Sequence, residues 1–417
     1  MKSGNTKTGV ITIKIVFKRM YCFFSSLILI TMGICAAVQY ISPSEMTVSP
    51  GEGSLYNGFP LSVSYNNVFE AADTGQDDSA DAKIMLFSAI PVKNVRVTFS
   101  DRQYVRIGGE PFGIRLYTEG LVISQITEVD TESGKRSPAM SAGLKSGDII
   151  IAVNGDKLRT SEQLTEAVKN SEGSQILLTV VRNESVFTAE VIPVRESVSS
   201  AYRLGLWVRD SVAGIGTMTF TDENNHRFAG LGHGICDSTS GQLMPLSEGD
   251  IVPASIVSVE KGKAGSPGAL NGCFTGDRAI GTIEKNDQCG LYGKLDSICS
   301  TGELLPVANK QEALRGKAKI RTTVCGNSAE YYDVEIEEIS YNNKNITKNM
   351  VIHITDERLL SITGGIVQGM SGSPVVQEGR LVGAITHVFV NDPTRGYAIF
   401  AENMSDLNSQ IIQKSSG

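Results

Sequence analysis

"GMSGSPVV", residues 369–376, sets two serines, two glycines and a proline directly ahead of a β-branched pair. Glycines on either side of a serine allow a tight turn that exposes the hydroxyl and aims neighbouring backbone N–H groups the same way. That is the backbone an activated nucleophile needs when negative charge develops on the oxygen it attacks. Ser371 is the candidate nucleophile, with the N–H groups of Gly369 and Ser371 as a candidate oxyanion hole. The continuation "QEGRLVGAITHVFV" reads as strand, turn and strand, so this stretch also predicts a β-rich fold around it.

A base must accompany such a serine, and histidine is its usual form. The 417 residues contain four histidines, His226, His233, His353 and His387. His226 lies in the polar turn "TDENNHRF", His353 alternates within "MVIHIT", and His387 follows the serine on the next strand. His233, in "FAGLGHGICD", ends an apolar strand and is bracketed by Gly232 and Gly234, which permit close approach of other backbone. It is the candidate base. Seven aspartates lie between it and Ser371: Asp237, Asp250, Asp277, Asp287, Asp296, Asp333 and Asp356. Spacing alone favours a mid-interval carboxylate such as Asp277 and decides nothing.

Composition bounds the answer. Apolar residues make up 41 %, charged residues 20 %, and glycine numbers 43, the mix of a globular, turn-rich protein with two or three domains. A net charge of −7 gives no support for nucleic-acid binding. Lys14, Lys18 and Arg19 precede 19 uncharged residues, Met20 to Val38, which read as a transmembrane signal anchor that exports the rest of the chain. "CAA" at 35–37 has the small residues of a cleavage site, so anchored and released forms are both expected. Of seven cysteines none forms a CxxC pair or a zinc spacing, and they read as free buried thiols. No metal or cofactor is implied.

Along the chain, residues 1–19 read as a basic cytoplasmic segment, 39–80 as a polar linker with a short strand at "FPLSVSY", and 81–100 as a strand-rich connector. Residues 101–196 contain "YVRIGGEPFGIRLYTEGLVISQI", then "SPAMSAGLKSGDIIIAVNGDKL", a capped amphipathic helix "TSEQLTEAVKNSEG", and closing strands. This series resembles a PDZ domain (α+β), with "AGLKSGDIIIAVNG" as its most specific part. The resemblance implies capture of extended peptide C-termini, or of the chain's own cleaved segment, by strand addition. It places a carboxylate-binding loop at Phe112, Gly113 and Ile114, and side-chain contacts at Leu164 and Val168. Residues 197–417 carry many short strands with glycine turns, a mainly β pattern that argues for a double barrel.

The run Gly369-Met370-Ser371-Gly372-Ser373-Pro374 resembles the nucleophile loop of chymotrypsin-like proteases, though Ser373 stands where those have glycine. With the span, the PDZ-like block, "LGHG" and "GGIVQGMSGSPVVQEGRLVGAITHV", the chain as a whole resembles the stage IV sporulation protein B serine peptidases. That resemblance implies a signalling endopeptidase in the space between forespore and mother cell. It would cleave a membrane-bound regulator of an intramembrane metalloprotease, and also itself. Carried over, it makes Ser371 the nucleophile, His233 the base and Asp356, in "HITDERLL", the acid, only 15 residues before the serine. Two other readings compete, a PDZ scaffold with an inactive protease domain and a general envelope stress protease. Against the first, both the serine and the glycine-bracketed histidine are present. Against the second, the PDZ-like block precedes the protease-like one.

Overall fold

A computed structural model describes residues 5–49, 61–65 and 79–405, apart from 184, 238, 240, 298–299 and 342. Residues 406–417 and Cys299 lie outside these residues. The chain divides into two compact units, residues 1–102 with 309–312 and 340–342, and the remainder.

The first unit begins with helix α1 (Asn5–Ile41). Within it Lys18–Tyr40 has a mean hydropathy of 2.1, long and apolar enough to cross a membrane. The segment expected to be a linker is partly built. Glu45–Val48 pairs in parallel with Ile90–Phe99, which continues through Ser79–Leu86 to Leu61–Tyr65 in a four-stranded sheet. Met46, Ile84, Val95 and Val97 are buried beneath it, so the alternating apolar residues there serve a core.

The second unit holds two six-stranded barrels. The first is formed by β1 (Pro111–Ile126), β2 (Leu206–Asp222), β3 (Arg227–Gly230), β4 (Glu248–Glu260), β5 (Gly281–Asp287) and β6 (Gly290–Leu295). The pairings β1–β2, β2–β3, β3–β6, β6–β5, β5–β4 and β4–β1 return to their start, so the ring is closed. The second consists of β7 (Gly316–Thr322), β8 (Glu330–Ile339), β9 (Met350–Ile354), β10 (Pro374–Gln377), β11 (Arg380–Phe389) and β12 (Asp392–Phe400), and it closes in the same order. Helix α3 (Glu357–Thr363) comes between β9 and β10. Closure removes exposed sheet edges from both barrels.

Strand β1 joins two structures. Its first half, from Pro111 to Tyr117, is a barrel stave hydrogen-bonded to β2 on one side and β4 on the other. Past a glycine at 120 with φ +87°, its second half pairs Leu121 and Val122 with Ile150 and Ile149 of the PDZ-like sheet. That sheet runs through Ile149–Val153 and Ile176–Arg182 to Ser185–Val191. Helix α2 (Ser161–Asn170) covers it and begins with a capping box between Thr160 and Gln163. The PDZ-like block therefore sits between the first and second staves of the barrel instead of ahead of it.

This arrangement corrects the reading of "PFGI". Phe112 and Ile114 are 2 % and 4 % exposed, in the barrel core with Phe228 and Leu231, and both edges of their strand are occupied. Gly113 is there because a Cβ would lie 2.6 Å from Phe274 and from Val252. These three residues cannot receive a peptide terminus. Leu164 and Val168 are likewise core residues, packed among Leu121, Val180 and Leu204 with Leu206 and Val208 against them, so they present no open groove. The cysteines also depart from expectation: Cys289 is buried, but Cys236, Cys273 and Cys325 are exposed free thiols.

Candidate catalytic site

The two barrels meet where the loop after β3 faces the loop before β10. Ser371 lies on a turn between Gly369 (φ +96°) and Gly372 (φ +97°), conformations that favour glycine. Close approach fixes Gly372 as well, since a Cβ there would stand 2.1 Å from the Thr217 carbonyl oxygen and 2.5 Å from the Leu231 nitrogen. On the other side Gly232 abuts the Ile385 carbonyl and the Thr386 and Ile399 side chains. Ser371 Oγ donates to the Thr386 carbonyl at 2.8 Å, and the adjacent His387 ring lies 5.1 Å from the His233 ring. Ser371 and His233 thus converge on residues 385–387, though 138 residues apart in sequence.

Thr217 of β2 joins the two loops, a role with no sequence signature. Its N–H donates to the Ser371 carbonyl at 3.4 Å and its Oγ1 to the Gly369 carbonyl at 2.7 Å, while its own carbonyl accepts from Leu231. Thr219 Oγ1 adds a bond to the Gly372 carbonyl. Around the serine the N–H groups of Met370, Gly372 and Ser373 are paired with carbonyls. Among the described residues, those of Gly369 and Ser371 have no acceptor. Two free donors flanking Met370 in an otherwise satisfied turn are the kind of group that can stabilise an oxyanion. Ser373, the departure from the expected glycine, is fully buried and donates to Thr322 Oγ1, so it is a packing residue.

His233 Nδ1 is 2.9 Å from the Gly234 carbonyl oxygen. A carbonyl only accepts, so Nδ1 carries the proton and Nε2 is left with its lone pair, the tautomer a base requires. Burial holds the imidazole below its ordinary pKa, with the Gly234 bond opposing, so it is neutral at pH 7. His387 is pushed down to about 4, by burial first and then by His233 and the Lys348 ammonium. His387 is itself an exposed residue. His226 is exposed in its turn, and His353 lies against Glu337 at 3.3 Å in the second barrel.

Neither expected acid touches His233. Asp277 is exposed, and its carbonyl accepts from Arg115. The Asp356 carboxylate is the N-cap of α3, bonded by the N–H groups of Asp333, Arg358 and Leu359 and by the Arg358 guanidinium at 2.9 Å. Those bonds, the Arg358 side chain foremost, hold it down to about 2. Val351, Tyr397 and His387 lie side by side across three strands, and Asp356 is five residues past Val351. What it fixes is α3, which leads through Gly364 and Gly365 to the nucleophile turn. No cluster of metal-ligating side chains occurs among the described residues. Two surface hollows, of about 420 and 380 Å³, are lined by residues of the PDZ-like block, away from this junction.

Residues 200–405 match the family model described as SpoIVB peptidase S55, and residues 129–182 match a PDZ domain model. The chain belongs to the SpoIVB peptidase S55 family. A DegP-like periplasmic serine endoprotease of Chlamydia trachomatis is 36 % identical over 74 residues, 18 % of this chain and 14 % of that protein. Zinc metalloprotease RasP of Shouchella clausii is 35 % identical over 71 residues, 17 % and 16 % of the two chains. The chain spans a fifth or less of the length of the curated relatives it matches. Among solved structures, the HtrA-type protease AlgW with a decapeptide covers 49 % of this chain and 55 % of its own at 13 % identity, with a TM-score of 0.29. The S55 match begins at residue 200 and so does not take in stave β1 of the first barrel.

Proposed function

We propose that this S55 family member is a serine endopeptidase in which Ser371 is the nucleophile and His233 the general base. The observation that carries the reading is the meeting of these two side chains on residues 385–387, beside the free N–H groups of Gly369 and Ser371. Ser371 Oγ turns from the Thr386 carbonyl to attack the scissile carbonyl, and its proton passes to His233 Nε2. The resulting oxyanion is stabilised by the two N–H groups, and the protonated imidazole then gives its proton to the leaving amine. Family membership, the apolar helix α1 and the PDZ match support a finer role. We infer that the protein is exported and anchored by α1 in the space between forespore and mother cell. There it cleaves a membrane-bound regulator of an intramembrane metalloprotease, and itself, during sporulation signalling. Peptide capture by the PDZ-like block uses a surface other than Phe112–Ile114.

A fluorophosphonate probe tests the chemistry without a known substrate. Ser371 Oγ attacks phosphorus, the P–F bond breaks, fluoride leaves, and the hydroxyl proton goes to His233. The wild-type chain takes one label, and Ser371→Ala and His233→Ala take none while Ser373→Ala is labelled at close to the wild-type rate. Labelling of Ser371→Ala at the wild-type rate would end the assignment.

A further inference from the structure

The path of a peptide attacked by Ser371 is bounded on two sides. Its carbonyl oxygen meets the free N–H groups of Gly369 and Ser371, and its carbon meets Ser371 Oγ, held 2.8 Å from the Thr386 carbonyl. Strand β11 bounds the other side. Its pairing with β10 ends at Ala384, and Ile385 is bonded to Gly372 and Ser373. Among the described residues no strand pairs with that edge of Thr386–Phe389, whose other edge is taken by β12. An extended chain added to the open edge is held by β11 and by the nucleophile turn at once. The side chain of its acyl-side residue then enters the space between β11–β12 and residues 365–368, the run that leads into the turn.

That space is filled from behind. The Ile366 N–H donates to the Pro393 carbonyl at 2.7 Å, which lays the run across the start of β12. Gly365 fits there because a Cβ would collide with the same Pro393 oxygen. Val388 of β11 is paired with Gly396 of β12, and a Cβ on Gly396 would lie 2.7 Å from Ile366 Cδ1. The isoleucine therefore stands against the Val388–Gly396 pair. It is 2 % exposed, and Gly396 is buried with it, so the floor is closed at this point. The carboxylate at the head of β12, Asp392, accepts from Thr394 Oγ1 at 2.6 Å and from the Arg395 guanidinium at 3.2 Å. A cation placed on the aliphatic floor is left without a partner, and burying it there is costly.

We propose that Ile366 is the specificity-determining residue: it makes the acyl-side pocket shallow, so the chain cleaves after short apolar residues, alanine to valine in size, and rejects aromatic and basic ones. This rests on the peptidase reading above and names the substrate class for that site. A pocket selects by the length it admits, and a single methylene group too many or too few is worth about 10–200-fold.

The test applies to the full chain a series of peptidyl diphenyl phosphonates that differ only in the side chain beside phosphorus: alanine, valine, phenylalanine or lysine. Ser371 Oγ attacks phosphorus, the bond to one phenoxide breaks, and the hydroxyl proton passes through His233 to that leaving group. The wild type is expected to take the faster of the alanine and valine members at least ~10-fold faster than the phenylalanine and lysine members. Ile366→Ala lowers the floor and is expected to raise the phenylalanine-to-alanine ratio of rates at least ~10-fold, whatever its absolute rates. Loss of structure alone slows every member alike and leaves that ratio unmoved. The proposal is overturned if the wild type discriminates by less, if no member reacts while the alkyl fluorophosphonate does, or if a folded Ile366→Ala shifts the ratio by less. Thermal unfolding reports whether the variant folds. Where it does not, Ile366→Val decides, since removing one methyl should raise the ratio at least ~3-fold and a smaller change overturns the proposal. A wild-type chain that takes neither class of probe refutes the peptidase reading itself.

Discussion

Replacing Asp356 separates a helix cap from a triad acid. The alanine variant removes an N-cap worth about 1 kcal/mol, range roughly 0.5–2. It also removes an ion pair worth only a few tenths, because the Arg358 side chain is 61 % exposed. The bond from the Asp333 N–H is lost too, at an exposed residue where water can replace it. The sum is about 1.5–2.5 kcal/mol, a fall in Tm of roughly 4–8 °C for a unit of this size. Asparagine caps nearly as well as aspartate, so Asp356→Asn is expected to lose about 1–2 °C and to keep its fluorophosphonate labelling within about threefold. A triad acid behaves oppositely: there the asparagine leaves the fold intact and costs about 10⁴ in rate. The stability gap between wild type and Asp356→Asn also depends on pH. Because folding lowers this pKa, the contribution is present above pH 4 and is lost as pH falls through about 2. The full shift corresponds to at most ~2.4 kcal/mol, and solvent around Arg358 screens it to ~1 kcal/mol. Unfolding curves at pH 6, 4 and 2.5, with labelling at neutral pH, give both readouts. An Asp356→Asn protein with wild-type Tm and labelling slowed more than 10³-fold would refute the reasoning.

Thr217→Val removes the hydroxyl that holds the Gly369 carbonyl and should cost about 1–2 kcal/mol of stability with labelling slowed about tenfold; an unchanged rate would show that the nucleophile turn holds itself. Gly113→Glu should yield no folded barrel, since even its Cβ meets Phe274 and Val252 at 2.6 Å; a folded, active variant by circular dichroism and labelling would contradict the placement of β1. Burial lowers the His233 pKa, so the rate of labelling should stay flat on acidification to below pH 6.5 before it falls, and a limb above 6.5 would contradict the neutral, buried base. Both lowered histidines leave the unfolded chain binding more protons below pH 6.5, so stability should also decline from there downward.

The glycines around Ser371 and His233 carried most of the legible signal. A residue chosen for close backbone approach leaves a mark in sequence, and both loops are held by such contacts. The helix start at Asp356 was legible too: Asp, then "ERLL", then paired glycines is a start and stop signal. "PFGI" misled because period-2 alternation is the same whether a strand joins one sheet or another, and a glycine beside aromatic residues suits a loop as well as a crowded stave. Thr217 left no trace, since its work is long-range hydrogen bonding between loops distant in sequence.

The pairing of Leu206 with Ile126 closes the PDZ-like block off from the barrel at a single rung of one ladder. The block is therefore a guest whose entrance and exit are neighbours, held in its host by continuous sheet and not by a tether. Such a guest is carried by the same ladder of backbone hydrogen bonds as the barrel's own first two staves. A fragment that begins at residue 200 discards the host's first stave with the guest and leaves β2 and β4 as open edges, a form prone to associate.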